Sequence, residues 1–162
     1  MKTLNRYATS VADFAERMVE CVLIVFMPLV TVVVLAQVIA RYVVKQPLPW
    51  SEELSRYLLV WISYLGMSVA VRRQGHMGFT ILQERLSPVL RRIVVLVSQL
   101  LVGVVLVCLL VFGMRVSMAN TTQRSAGLWI SMALPYSAVP IGSLAGIIQL
   151  VPLVLRTIGR DA

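Results

Sequence analysis

The chain has 162 residues, of which 59% are hydrophobic and only 14% charged, with a mean hydropathy of +0.86 and a formal net charge of +8. That composition excludes an ordinary water-soluble domain and places the chain among membrane proteins, as a single domain over residues 1–162. In such a chain the surplus of Lys and Arg reports topology, so it is no argument for a nucleic-acid partner.

Crossing a hydrocarbon core of about 30 Å takes roughly 20 apolar residues, and this length sets the units of the reading. Residues 1–20 come first. Leu4, Tyr7, Ala8, Val11, Phe14, Ala15 and Met18 recur at three- and four-residue spacing, with Arg6, Asp13 and Arg17 on the other face. This predicts an amphipathic helix that either lies on the cytoplasmic membrane surface or packs on a partner. The uncharged run 21–40 is the first predicted span. A cleaved signal peptide fits poorly, because the leading segment is long, carries Asp13, Glu16 and Glu20, and is followed by no small-residue cleavage site. The second span is expected over about 54–71, with Arg56 near its start. Phe79, Leu82, Leu86 and Leu90 then form a stripe, which predicts a short interfacial helix over about 79–86. Ser87-Pro88 supplies an N-cap and a first helical position for a long helix that contains the third span, 93–114. Arg91 and Arg92 would snorkel at its start.

Residues 118–127, MANTTQRSAG, read as a loop. LWISMAL, 128–134, reads as a short interfacial or re-entrant piece, acceptable only if protein or interface satisfies its backbone. Pro135 suits a first helical turn, leaving 136–155 for the fourth span. Ala138, Gly142 and Gly146 form a small-residue ridge on which another helix can approach closely. The expected fold is therefore an all-α integral membrane protein with four transmembrane helices, an N-terminal amphipathic helix and an interfacial helix between spans two and three. Ten Lys and Arg fall on the side shared by the termini and the second connection, against five on the other, so both termini are expected to be cytoplasmic.

No Asp, Glu, Lys, Arg or His is expected deep in the membrane, where an ionisable group would signal a carrier site. Gln37, Gln99 and Gln149 are the polar amides within spans, suited to interhelical hydrogen bonds. Cys21 and Cys108 sit in apolar runs and imply neither disulfide nor metal site. His76 is the single histidine, which excludes a haem held by two histidines of this chain. There is no phosphate-binding glycine loop, and no cofactor is expected. Internal repeats, frequent in transporters that carry their own substrate, are absent from the sequence.

The stretch LPWSEELSRYLLVW, 48–61, is the most informative. Pro49 and Ser51 favour a helix start, Glu52 and Glu53 suit its positive first turn, and Arg56 falls on the same face. Trp50, Tyr57 and Trp61 fit a headgroup-level aromatic belt. Two readings stand here. One is a capped, anchored span end. The other is a charge network in which Glu52 and Glu53, facing Arg41, Lys45, Arg115 and Arg124, lock the outer connections or dock another chain.

These residues resemble the small membrane subunit of TRAP (tripartite ATP-independent periplasmic) transporters, the DctQ-like or Q-type subunit. The likeness runs through QVIARYVVKQPLPWSEELSRYLLVWISYLGMSVAVRRQGHM, 37–77. It includes Arg41 and Tyr42, then Pro49, Trp50, Glu52, Glu53, Arg56, Tyr57 and Trp61, then Gly66, and finally Arg72, Arg73 and His76; a weaker likeness covers LPYSAVPIG, 134–142. The resemblance implies a non-enzymatic subunit of a secondary transporter in the bacterial inner membrane. In that family a large membrane subunit holds substrate and sodium sites and moves by an elevator-like motion. The small subunit packs on its scaffold, and a periplasmic binding protein delivers an organic anion. By this implication Trp50, Glu52, Glu53, Arg56 and Tyr57 belong to an outer contact region, while Arg72, Arg73 and His76 fix the inner end. The rival reading is an independent four-helix exporter acting as a homodimer, which would want a membrane-embedded acid; a membrane enzyme would need a clustered acid or histidine motif.

Overall fold

The computed structural model describes residues 2–46, 48–73 and 88–159. Among them the chain is helical, with four helices long and apolar enough to cross a membrane. Helix α1 spans Lys2–Ile39 and passes into a π-helical turn, Ala40–Val44; α2 spans Pro49–Arg73 and α3 Pro88–Ala119. A single turn, α4 (Ala133–Tyr136), leads into α5, Ala138–Ile158. The interfacial helix expected over 79–86 lies outside the described residues, as does His76.

The leading segment is helical, and it runs into the first span without a break. At 1.5 Å per residue the 38 residues of α1 extend about 57 Å, nearly twice the hydrocarbon thickness. Pro28 removes one backbone donor inside it, but no residue up to Ile39 leaves the helix. A helix lying on the surface would need a bend between residues 18 and 22. Instead its inner half is held to the protein: Ala12 is fully buried, and the acids that follow it pair with α2. At the other end α1 closes through the π turn. Lys45 takes a left-handed backbone (φ 59°), and Gln46 N–H donates to Ala40 O at 3.0 Å.

Helix α5 is the hub, packed against α1, α2 and α3. Contacts along α3 and α5 run in opposite directions: Gly103 meets Leu150, Leu106 meets Gly146, and Gly113 meets Val139. Helices α2 and α5 run parallel, with Gly142 seated against the backbone of Tyr64. The small-residue ridge of α5 is thus filled from within this chain. Val19 of α1 and Leu65 and Val69 of α2 form a buried cluster that also receives Trp61 and Ala145. By contrast, α1 and α3 present broad apolar faces outward, including Ile24, Val25, Val32 and Leu35, and Leu100, Leu101, Val104 and Phe112. In a bilayer such faces meet lipid or another membrane chain.

Between α3 and α5 the connection is a tight loop rather than a re-entrant helix. Arg124 and Ser131 pair across it as an isolated antiparallel bridge, with Ser125 N–H donating to Ile130 O and Met132 N–H to Gln123 O. Trp129, at its tip, adopts φ 56° and points outward. Backbone bonds within the loop replace the interhelical partners that a membrane-buried segment would require.

Candidate functional site: two polar clamps on α2

Charged side chains concentrate at the two ends of α2. The clamps centre on Glu53 and Arg72, 19 residues or about 28 Å apart along the helix, which matches a hydrocarbon core of about 30 Å; they are named outer and inner after the topology expected from the sequence.

The outer clamp begins where Pro49 starts α2. Ser51, fully buried, donates its hydroxyl to Leu48 O at 2.7 Å and so acts on the preceding turn rather than as an N-cap. Glu53 faces the loop between α3 and α4. Its carboxylate accepts three backbone N–H groups, from Ala126 at 3.1 Å and from Gly127 and Leu128 at 3.0 Å each. Successive amides converging on one anion make a nest, and bonds to an ionised acceptor are the stronger kind. A Cβ on Gly127 would lie 3.1 Å from Glu53 Oε2 and 3.3 Å from Pro49 O, so glycine lets the loop backbone come this close. Glu53 precedes the span predicted over about 54–71. Partial desolvation pushes its carboxyl up, but the Gly127, Leu128 and Ala126 amides, with the neighbouring Ser125 hydroxyl, outweigh this and hold its pKa below the ordinary glutamate value.

Around this clamp Tyr57 Oη donates to Met132 Sδ at 3.3 Å, and Ser117 Oγ donates to Ala133 O at 3.0 Å. Arg124 reaches the carbonyl of Trp129 at 3.4 Å, while Arg115 lies over the ring of Phe112. Arg41 is exposed on the π turn. Neither Arg41, Lys45, Arg115 nor Arg124 pairs with Glu52 or Glu53 among the described residues. Glu53 holds the loop through backbone amides, which the expected side-chain charge network did not anticipate. Glu52 pairs instead with Arg56 one turn on, at 3.5 Å, with both side chains mostly exposed. Such a pair adds little to stability, about 0.3–0.5 kcal/mol on a helix surface, and is free to meet a partner. Trp50 is 41% exposed beside it, whereas Trp61 packs on the Val19–Leu65–Val69 cluster.

The inner clamp joins α1 to the end of α2. Arg72 pairs with Asp13 and, through Nε, with Glu16 at 2.9 Å; Arg73 reaches Glu20 at 2.5 Å and Glu16 at 3.8 Å. The side chains of Arg72 and Glu16 are 18% and 19% exposed, so solvent screens this pair far less than Glu52–Arg56. Reading the sequence helix by helix missed Asp13, Glu16 and Glu20 as partners. The signal was present: acids at spacings of three and four share a helix face, opposite a basic pair closing the next helix. Arg72→Gln should lower the thermal unfolding midpoint by several degrees, since about 1 kcal/mol moves it by 2–4 °C at this chain length. A Glu52→Gln control should leave it within a degree or so, because an exposed i,i+4 pair contributes only a few tenths of a kcal/mol.

Among the described residues no group of three His, Cys, Asp or Glu is arranged to hold a metal ion. The outer clamp joins α2 to the loop before α4, and the inner clamp joins α2 to α1.

A family model described as "Tripartite ATP-independent periplasmic transporters, DctQ component" matches residues 30–160, which include all of α2 and both clamps except the α1 acids. The chain belongs to this family. The DctQ family is that of a transporter membrane component, not of an enzyme. Three relatives show the same character. The sialic acid TRAP transporter permease protein SiaT of Haemophilus influenzae is 35% identical over 112 residues, which are 66% of this chain and 18% of that protein. A putative TRAP transporter small permease protein of the same species is 32% identical over 79 residues, 49% of each chain. The sialic acid TRAP transporter small permease protein SiaQ of Vibrio cholerae is 26% identical over 125 residues, 77% of this chain and 72% of its own. The chain therefore spans less than half the length of the first two. As a DctQ-family chain with four apolar helices, it is a multi-pass bacterial membrane protein.

Proposed function

We propose that this chain is the small membrane subunit of a TRAP transporter in the bacterial inner membrane, with both termini cytoplasmic. It forms a stable complex with a large membrane subunit and scaffolds it for sodium-coupled uptake of an organic anion, a carboxylate or sugar acid. A periplasmic binding protein meets the complex transiently to deliver the solute. The observation that carries this reading is the placement of charge: among the described residues the membrane-crossing stretches hold no Asp, Glu, Lys, Arg or His beyond Arg56, which pairs with Glu52 at the helix start. A chain without a membrane-embedded ionisable group lacks the usual means to bind and release a charged solute, so that task falls to a partner.

Two features support the pairing. The chain resembles 18% of a much longer permease, as expected if a small helical unit works beside a larger membrane portion. The outward apolar faces of α1 and α3 offer surface for such a neighbour. The relatives named for sialic acid, an anionic sugar acid, motivate the solute class. Within the outer region, Glu53 is occupied by its own loop, which leaves Trp50, Glu52, Arg56 and Tyr42 as the groups exposed to a partner. Arg41 shares that exposed end. Arg72 and Arg73, with His76 close by in sequence, hold the inner end.

The test is co-expression with a large TRAP membrane subunit. The two should purify together, and proteoliposomes containing both, with the binding protein, should accumulate solute on a sodium gradient. This chain alone should give no flux. Saturable sodium-driven accumulation by the isolated chain would overturn the proposal.

A further inference from the structure

Gln149 of α5 is fully buried, and neither atom of its side-chain amide has a hydrogen-bond partner among the described residues. The Nη1 of Arg72 is also buried without a partner, although the other nitrogens of that guanidinium hold Asp13 and Glu16. Helix register sets these orphaned groups at one level of the bundle. Val19, Val69 and Ala145 meet in a single cluster. One turn from each, towards the same end of the bundle, stand Glu16 on the oppositely running α1, Arg72 on α2 and Gln149 on α5. The Tyr64–Gly142 contact between the parallel helices α2 and α5 gives the same level, since seven residues further along each lie Val71 and Gln149.

We propose that Gln149 is the third arm of the inner clamp, joined to it by a bound water molecule. The water accepts from Arg72 Nη1 and donates to Gln149 Oε1, and its second hydrogen reaches the Glu16 carboxylate. A buried water requires two to four polar partners, and these three groups supply them. The bridge ties α5, the hub of the bundle, to the ion pairs that hold the inner half of α1. The arrangement makes Gln149 a positioning residue for this end of the bundle, independent of which solute the complex carries.

The sign of one substitution tests it. Gln149→Met keeps the volume and removes the amide. A lone buried amide is a penalty that an apolar isostere relieves, whereas a bridged amide contributes stability that the isostere loses. In the full chain, purified in lipid nanodiscs, Gln149→Met should lower the thermal midpoint by about 2–4 °C, the shift expected for a loss of 1 kcal/mol. In an Arg72→Lys background, which keeps the positive charge but lacks the Nη1 donor, the same change should have little effect. A rise in midpoint on Gln149→Met, or an equal fall in both backgrounds, would overturn the bridge. If the Arg72 variant does not fold, proton-detected solid-state NMR of the unsubstituted chain decides the matter. The Gln149 side-chain amide should show magnetisation transfer from a slowly exchanging water, and its absence would remove the proposal.

Discussion

Gly142→Ala should destabilise the bundle by about 1–3 kcal/mol, the range for forcing an added methyl into a packed core. A Cβ at this position would lie 2.7 Å from Tyr64 Cβ, 2.7 Å from Tyr64 O and 2.8 Å from Tyr64 C. Two of these are backbone atoms in the middle of α2, so no side-chain rotation relieves the clash and the two helices must separate. The damage would spread, because α5 is the element against which α1, α2 and α3 all pack. Gly146 is a useful comparison. Its Cβ would meet Leu106 Cδ2 at 3.0 Å and Cδ1 at 3.3 Å, the flexible ends of a side chain that can shift. Gly146→Ala should therefore fall clearly short of Gly142→Ala in thermal denaturation of the purified protein. Equal loss at both sites would mean that the α2–α5 approach is not the tight contact of the bundle.

This contrast also shows what the sequence made legible. The spacing of Ala138, Gly142 and Gly146 announces a helix that expects close company, but spacing alone does not say whether the company is internal. Here α2 and α3 fill the ridge, so it is no free docking stripe. The four spans were readable because uncharged runs of about 20 residues have one physical use in a chain of this hydropathy. The continuity of α1 was harder to read. Charges at 13, 16, 17 and 20 suggest a polar break, and only the pairing of the three acids, Asp13, Glu16 and Glu20, with Arg72 and Arg73 from a helix more than fifty residues away removes the reason for one. Glu52 and Glu53 illustrate the same limit. Both are acids in a first turn, favoured there by the helix dipole, and nothing local separates them. Helical rotation sends one towards Arg56 and solvent and the other towards a loop whose amides lie seventy residues downstream. That division of roles, and the backbone partners of Glu53, are properties of the assembled bundle.

Glu53→Gln should release the loop between α3 and α4. The neutral amide loses the charge assistance of three bonds, and its NH2 group would face Leu128 N–H or Ala126 N–H, donor against donor. The loop has its own internal bonds, Ser131 Oγ to Thr121 O and the pairing of Arg124 with Ser131, so local opening rather than global unfolding is the expected outcome. Tryptic cleavage after Arg124 reads this directly and should accelerate several-fold in Glu53→Gln under native conditions. Cleavage at Arg115, which lies within α3, should not change. The same contact predicts a pH dependence with a definite sign. Because the folded-state pKa of Glu53 lies below the usual glutamate value, its contribution is fully present above about pH 4.5 and is lost as the pH falls through the depressed value. The loop of the unsubstituted chain should therefore open on acidification below pH 4.5, monitored by an acid-active protease or by fluorescence of the outward-facing Trp129 in a Trp50→Phe, Trp61→Phe background. In that background Glu53→Gln should flatten the acid transition. A loop that stays protected in Glu53→Gln, with an acid transition unchanged from the parent, would show that the internal bridge and not the carboxylate holds the outer end of the bundle.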